Sequence, residues 1–298
     1  MDAKIYKNKK MIIFFLIPAF AMMFIFLYMP FVQNILNSFR KINGDFTIPK
    51  TLNDPVWKNY ALIIKDETML LALKNTIIMI FSTIFGQVGM ALLLALLVSN
   101  IKKGAGIYRV VYFFPIVVSA TALGLLFNTI FQKDGGLLNV VIEMFSPGRT
   151  ATDWKDPQHA MLTMLTPVIW QYVGFYFVIL LTGISGIPEE LYEAASIDGA
   201  SKLQSVYYIT LPLLVSSIST CVILAVTGAL KVFDLPYTMF PGGIANGSKI
   251  WLTGTYMYSK NQKDIDYAAT IAIAIVVLGV VLSFVVNKIF ESAEDYTE

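Results

Sequence analysis

Residues 158–187 read QHAMLTMLTPVIWQYVGFYFVILLTGISGI, 30 positions without one Asp, Glu, Lys or Arg. A helix of about 20 apolar residues crosses the hydrocarbon of a bilayer, so this stretch spans it with residues to spare. Five more runs share the property: 11–39, 75–101, 110–132, 203–230 and 267–287. The six runs hold 158 of the 298 residues; the other 140 carry all 42 charges, a density of 30% against 14% for the whole chain. Charge is thus confined to connectors of ordinary soluble-surface density. The pattern predicts an all-α integral membrane protein with six transmembrane helices.

The same composition excludes other classes. Mean hydropathy is +0.67, and charge-free runs of this length cannot be the wetted faces of a soluble enzyme. A net charge of +2 offers no basic surface for nucleic acid. Cys221 and His159 are the only residues of their types, so neither a disulfide framework nor a Cys- or His-based metal site is available, and no cofactor is expected. The apolar run after Lys4, Lys7, Lys9 and Lys10 is too long for a signal-peptide core and lacks a small-x-small cleavage site; it is expected to be a retained first helix.

The chain therefore divides into a tail at 1–10, a first transmembrane helix at 11–39, a five-span core at 75–287 and a tail at 288–298. The long connectors 40–74, 133–157 and 231–266 fall on one side, and the tails, the 102–109 hairpin and the 188–202 loop on the other. Counting Lys and Arg by side gives nine with the N-terminus against thirteen opposite, so the raw positive-inside count does not orient the protein. The density of lysines at 4–10 and 102–109 favours the N-terminus inside. Pro18, Pro30, Pro115, Pro167 and Pro212 lie within four of the six spans and read as kinks, with hinges as the alternative. Gly86, Gly89, Gly124, Gly174, Gly183 and Gly228 give small surfaces for close helix packing.

The loop after the fourth run reads Ile187-Pro188-Glu189-Glu190-Leu191-Tyr192-Glu193-Ala194-Ala195-Ser196-Ile197-Asp198-Gly199-Ala200. Proline followed by two acids starts a helix well, and Asp198-Gly199 stops one. Three turns are marginal in water without a packing partner. Leu191, Ala194, Ala195 and Asp198 share a face by their spacing. Glu189, Glu190, Glu193 and Asp198 oppose only Lys202, unlike the cationic helices that lie on headgroups. A protein groove is the better partner, with a plain solvated connector as the alternative.

Glu193-Ala194-Ala195, then Asp198-Gly199-Ala200, then Ile209-Thr210-Leu211-Pro212 closely resembles the EAA loop of importer-type ABC transporter permeases. Gly199 lies four after Ala195 and Ile209 ten after Gly199, as in that family's pattern. Asn75-Thr76, Tyr108-Arg109 with Pro115, and Val232-Phe233-Asp234 with Gly242-Gly243 are similar to the sugar-importing, maltose and multiple-sugar subgroup, although 235–246 departs from its usual ending. The resemblance implies the type I ABC importer fold in a bacterial cytoplasmic membrane, with both termini and the 188–202 loop cytoplasmic. It further implies separate ATPase subunits, a second homologous permease subunit and an extracytoplasmic sugar-binding protein as partners. Glu193, Ala194, Ala195, Asp198, Gly199 and Ala200 are then the contact through which ATP hydrolysis is coupled.

The residues agree with borrowed energy. No Gly-Lys pair occurs, hence no phosphate-binding loop. No span contains the ionisable residues of an ion-coupled carrier. No catalytic set is expected either. Sugars need aromatic faces and amide or hydroxyl partners, and the fourth run supplies both. Trp170, Gly174 and Phe177 share a face with Gln171 beside it, and Thr227 joins from the fifth run; these five are the candidate substrate contacts. Aromatic packing or an interfacial belt is the competing reading. His159 is expected at the headgroup level, Cys221 in packing, and Lys231 with Asp234 at a rim where they either pair or meet solute. A non-sugar solute, or an ATP-independent carrier, is the alternative function.

Overall fold

A computed structural model of the chain describes residues 9–42, 51–101, 104–245 and 248–294. Residues 1–8 of the N-terminal tail, Lys102, Lys103, Asn246 and residues 295–298 of the C-terminal tail lie outside the described residues. Apart from a two-residue antiparallel hairpin, Ile244–Ala245 with Ser248–Lys249, the regular structure is helical.

Among the described residues, five helices are long and apolar enough to cross a membrane: Met11–Ser38, Glu67–Ser99, Ala160–Ser185, Val215–Met239 and Ile265–Glu291. A sixth crossing is made by two arms, Gly106–Val117 and Ala120–Ile130, bent by 93°. We number these spans one to six in chain order, the bent pair being span three. The elbow is not at Pro115. It lies at Val118 and Ser119, whose ψ angles of 136° and 132° are extended.

The chain forms two compact units, Met1–Lys65 with Met257–Ala274, and Asp66–Tyr256 with Ile275–Glu298. In the first unit, every side chain from Met11 to Asn34 is exposed, an apolar surface that suits lipid rather than water. The C-terminal end of this helix leaves carbonyls without helical partners. Asn59 Nδ2 donates to Ser38 O at 3.0 Å and to Arg40 O at 2.8 Å, and Asn53 Nδ2 donates to Arg40 O at 2.8 Å. Thr270 Oγ1 donates to the same Ser38 carbonyl at 3.2 Å.

In the second unit, spans two, four and five pack around Ala91, Ala95, Phe177, Leu180, Cys221 and Ala225, all buried. Small residues set how close the helices come. A Cβ on Gly86 would stand 2.8 Å from Ile169 Cδ1, and one on Gly183 would stand 2.6 Å from Leu214 Cδ1. A Cβ on Gly174 would overlap the Tyr112 carbonyl oxygen, so this glycine is what lets the first arm of span three lie against span four.

Span five is interrupted. Its helix runs Val215–Lys231, leaves helical geometry at Val232 (ψ 130°) and Phe233 (φ −138°), and resumes at Asp234–Met239. The break deprives Leu230 O of its usual partner four residues on. Thr253 Oγ1 replaces it at 2.7 Å. Thr253 is held in turn by Thr76: its N–H donates to Thr76 Oγ1 at 3.0 Å, and the two hydroxyls lie 3.3 Å apart. Asn75 Nδ2 donates to Trp251 O at 3.0 Å. Asn75-Thr76 thus fastens the segment after span five onto the break.

Candidate functional site: a central cavity and an exposed helix

Two places in the second unit are candidates for function. The first is a cavity of about 390 Å³ between spans two, four and five. Span two contributes through a π-type turn, Ile84–Gly89, whose extra residue per turn aims Gln87 inward. Gln87 Nε2 donates to Val168 O at 2.8 Å. Span four contributes Gln171, Tyr172, Phe175 and Tyr176, and Gln171 Nε2 donates to the elbow carbonyl Val118 O at 3.4 Å. Span five contributes Gly228 and its break, with Lys231, Phe233 and Asp234 along the wall. A π-type turn, an elbow and a helix break thus converge on one space.

Of the five substrate contacts expected from the sequence, Gln171 alone borders this cavity among the described residues. Phe177 is fully buried, edge-on to Tyr112 with ring centroids 5.2 Å apart. Gly174 faces the Tyr112 backbone as described above. Trp170 is 43% exposed and meets Phe127 edge-on at 5.7 Å. Thr227 Oγ1 donates to Ile223 O of its own helix at 2.8 Å. The shared face of Trp170, Gly174 and Phe177 therefore looks toward span three, while the neighbouring face opens on the cavity. Gln87, Tyr172, Phe175 and Tyr176 line it beside Gln171. Lys231 and Asp234 are exposed, and among the described residues they form no ion pair with each other. The break at Val232 and Phe233 removes the helical register that would bring them together. Cys221 is buried in the packing between spans.

The second place is the helix Glu189–Ile197, preceded by Pro188 at its N-cap position. Glu189 and Glu190 lie in its first turn, where the helix dipole favours them. Its end is a complete Schellman motif. Ala200 N–H donates to Ala195 O at 2.9 Å and Gly199 N–H to Ser196 O at 3.2 Å, with Gly199 at φ +79°. Ser201 then opens the next helix with a capping box to Gln204. The helix buries no residue. Leu191 is exposed and Ile197 is 86% exposed. Tyr192, to which the sequence reading gave no role, fastens the helix to the turn leading into span five: its hydroxyl lies 2.9 Å from Thr210 Oγ1. Glu193, Ala194, Asp198 and Gly199 are exposed, and Ala195 and Ala200 half-buried.

His159 lies just before span four, with its Nδ1 2.8 Å from Asp156 Oδ1 and its ring edge-on to Trp154 at 5.6 Å. The same Asp156 oxygen accepts the His159 backbone N–H at 2.8 Å and the Gln158 N–H at 3.0 Å. The His159 backbone bond is the largest cause holding the Asp156 carboxyl below its ordinary value of 3.8; the imidazole adds to it and desolvation opposes it. Among the described residues no group of His, Cys, Asp and Glu has the arrangement of a metal site.

Residues 87–294, more than two thirds of the chain, match the family model described as "Binding-protein-dependent transport system inner membrane component". The chain belongs to this family. Among curated relatives, it is 31% identical over 292 residues to "Probable ABC transporter permease protein YurN" of Bacillus subtilis, covering 97% of this chain and 99% of that one. The permease is also 27% identical to "Lactose transport system permease protein LacF" of Rhizobium radiobacter, covering 91% and 90% of the two chains. Its fold matches a solved chain of a bacterial ABC transporter involved in import of the acidic polysaccharide alginate, with TM-score 0.77, 22% identity, and 97% and 98% of the two chains covered. The π-type turn at Gln87, the elbow and the broken fifth span all belong to this permease fold's second unit in the present chain.

Proposed function

We propose that the chain is the membrane-spanning subunit of an ATP-driven importer that carries a neutral sugar, of oligosaccharide type, into a bacterial cell. ATP hydrolysis resides in separate ATPase subunits, a second, related permease completes the pathway, and an extracytoplasmic sugar-binding protein delivers the solute. In this reading the tails and the 188–202 loop are cytoplasmic, and Glu193, Ala194, Ala195, Asp198, Gly199 and Ala200 form the coupling contact.

The observation that carries the proposal is the helix Glu189–Ile197. It is short, capped by its own chain only at its C-terminal end, and buries no residue fully, yet it holds apolar Leu191 and Ile197 out of the protein. Such a helix gains little from its own chain and much from a groove on a partner. The cavity supplies the solute side: amides and tyrosines for hydroxyl groups, rings for the C–H faces of sugars. Relatives bearing names of lactose, multiple-sugar and arabinooligosaccharide transport systems support the solute class.

The test uses the complete transporter in sealed vesicles with labelled raffinose and maltotriose, with and without ATP. Uptake is expected only with ATP and the ATPase subunits. Sugar uptake by this chain alone, down a gradient and indifferent to ATP, would overturn the proposal in favour of a carrier.

A further inference from the structure

Gln87 and Gln171 border the cavity and are almost sealed in protein, at 3% and 5% exposure. Each commits its amide nitrogen to a backbone carbonyl, Val168 O at 2.8 Å and Val118 O at 3.4 Å. A carbonyl accepts and never donates, so in both residues the NH₂ end must face the backbone and the oxygen must turn away from it. Among the described residues, neither Oε1 accepts a hydrogen bond and neither is shut off from open space. The open space that both side chains border is the cavity.

The site therefore presents two oriented acceptors, beside the rings of Tyr172 and Phe175. The bonds differ in length, so Gln87 is the more firmly held of the two. Flipping either amide to offer its nitrogen would leave the NH₂ end without the backbone carbonyl and press two carbonyl oxygens together. Lys231 and Asp234 are exposed, carry one charge of each sign, and sit along the wall formed by the break in span five.

We infer that Gln87 and Gln171 are specificity-determining residues: paired, fixed acceptors that select a solute by its hydroxyl donors and disfavour a carboxylate, which has only acceptors to offer them. This rests on reading the cavity as the solute pathway. It separates the chain from its fold neighbour, which serves an acidic polysaccharide.

The experiment is ligand-observed saturation-transfer NMR on the complete transporter, without its binding protein, in lipid nanodiscs. The probes are maltotriose, raffinose, a set of singly fluorinated deoxy-maltotrioses and the acidic trisaccharide trimannuronate. Fluorine keeps the size of a hydroxyl and deletes its donor. At least one fluorinated analogue is expected to bind about 3- to 10-fold more weakly than maltotriose, the worth of one hydrogen bond. Gln87→Leu should weaken maltotriose by a similar factor and shrink its advantage over that analogue, as a double-mutant cycle requires. Trimannuronate should give the weakest transfer. If neutral sugars bind but every fluorinated analogue matches its parent, or trimannuronate binds as well as maltotriose, the inference is overturned while the sugar reading stands. If no saccharide binds the wild-type transporter, the sugar reading falls and the inference with it. The analogue series needs no mutation, so it decides the matter even if Gln87→Leu does not fold.

Discussion

Gly199 tests whether the exposed helix depends on its backbone turn or on its surface. The residue sits at φ +79°, and a Cβ built there would meet nothing within 4 Å. Any cost of substitution therefore comes from the backbone and not from collision. For an L residue the left-handed region costs about 1–2 kcal/mol; Asn tolerates it better than Ala, and a β-branched Val tolerates it least. Losing the turn would also release the bonds from Ala200 and Gly199 to Ala195 O and Ser196 O, each worth about 0.5–1.5 kcal/mol. A helix of nine residues with none buried has little else to hold it. A shift of about 1–2 kcal/mol reduces its folded population by roughly 5- to 30-fold. The assay is amide hydrogen exchange over residues 189–200 in lipid nanodiscs, run beside ATP-driven uptake by the complete transporter. Protection and uptake should both fall in the order Gly199, Gly199→Asn, Gly199→Ala, Gly199→Val, while exchange in the spans stays unchanged. If Gly199→Asn is as damaging as Gly199→Val, side-chain bulk at a contact surface governs the site and the backbone argument is wrong.

Three further outcomes follow from particular contacts. Tyr192→Phe deletes the hydroxyl that meets Thr210 Oγ1; exchange over 189–198 should quicken about 2- to 10-fold, as the loss of one hydrogen bond implies, and unchanged exchange would show that the link is not made in the membrane. Gly174→Ala places a methyl on the Tyr112 carbonyl, whereas Gly228→Ala meets nothing within 4 Å. Thermal melts of the detergent-solubilised chain should show Gly174→Ala destabilised by about 1–3 kcal/mol, the usual cost of overpacking, with Gly228→Ala near wild type; equal melts would refute the close approach of spans three and four. The Asp156 carboxyl is held below its ordinary value, so its contribution to stability is complete above pH 3.8 and is lost as pH falls through the lowered value. Asp156→Asn should flatten that acid limb of a stability-against-pH curve, and an unchanged limb would assign the acid sensitivity elsewhere.

Much of the membrane architecture was legible in the distribution of charge, because a bilayer penalises ionised side chains along a whole span. The elbow in span three was not. The run 110–132 is uniformly apolar, and the bend falls on Val118 and Ser119 where composition does not change. Pro115 pointed near it, but a proline weakens a helix without saying where the chain turns. The stop at Asp198-Gly199 was legible because only a glycine-like backbone makes that turn cheaply. Around the cavity, helical spacing correctly grouped Trp170, Gly174 and Phe177 on one face, but periodicity does not say what a face meets. Tyr112 and Phe127 meet that one. Gln87 escaped notice because its direction depends on a π-type turn, which a period of 3.6 does not anticipate. Tyr192 escaped because its partner lies 18 residues away, on another helix.

The interruption in span five has a consequence for the order in which the protein can be made. The carbonyl of Leu230 is answered by a threonine 23 residues further along, and that threonine is steadied by Thr76 on a helix already synthesised. While the ribosome is still adding those 23 residues, the newborn fifth helix has an open polar seam. Hydrocarbon cannot solvate such a seam, and leaving it bare there costs several kcal/mol. The nascent segment must therefore wait in a wet or protein-lined setting until its tail arrives. A chain halted just before Thr253 should insert spans one to four and leave the fifth open to extraction from the membrane.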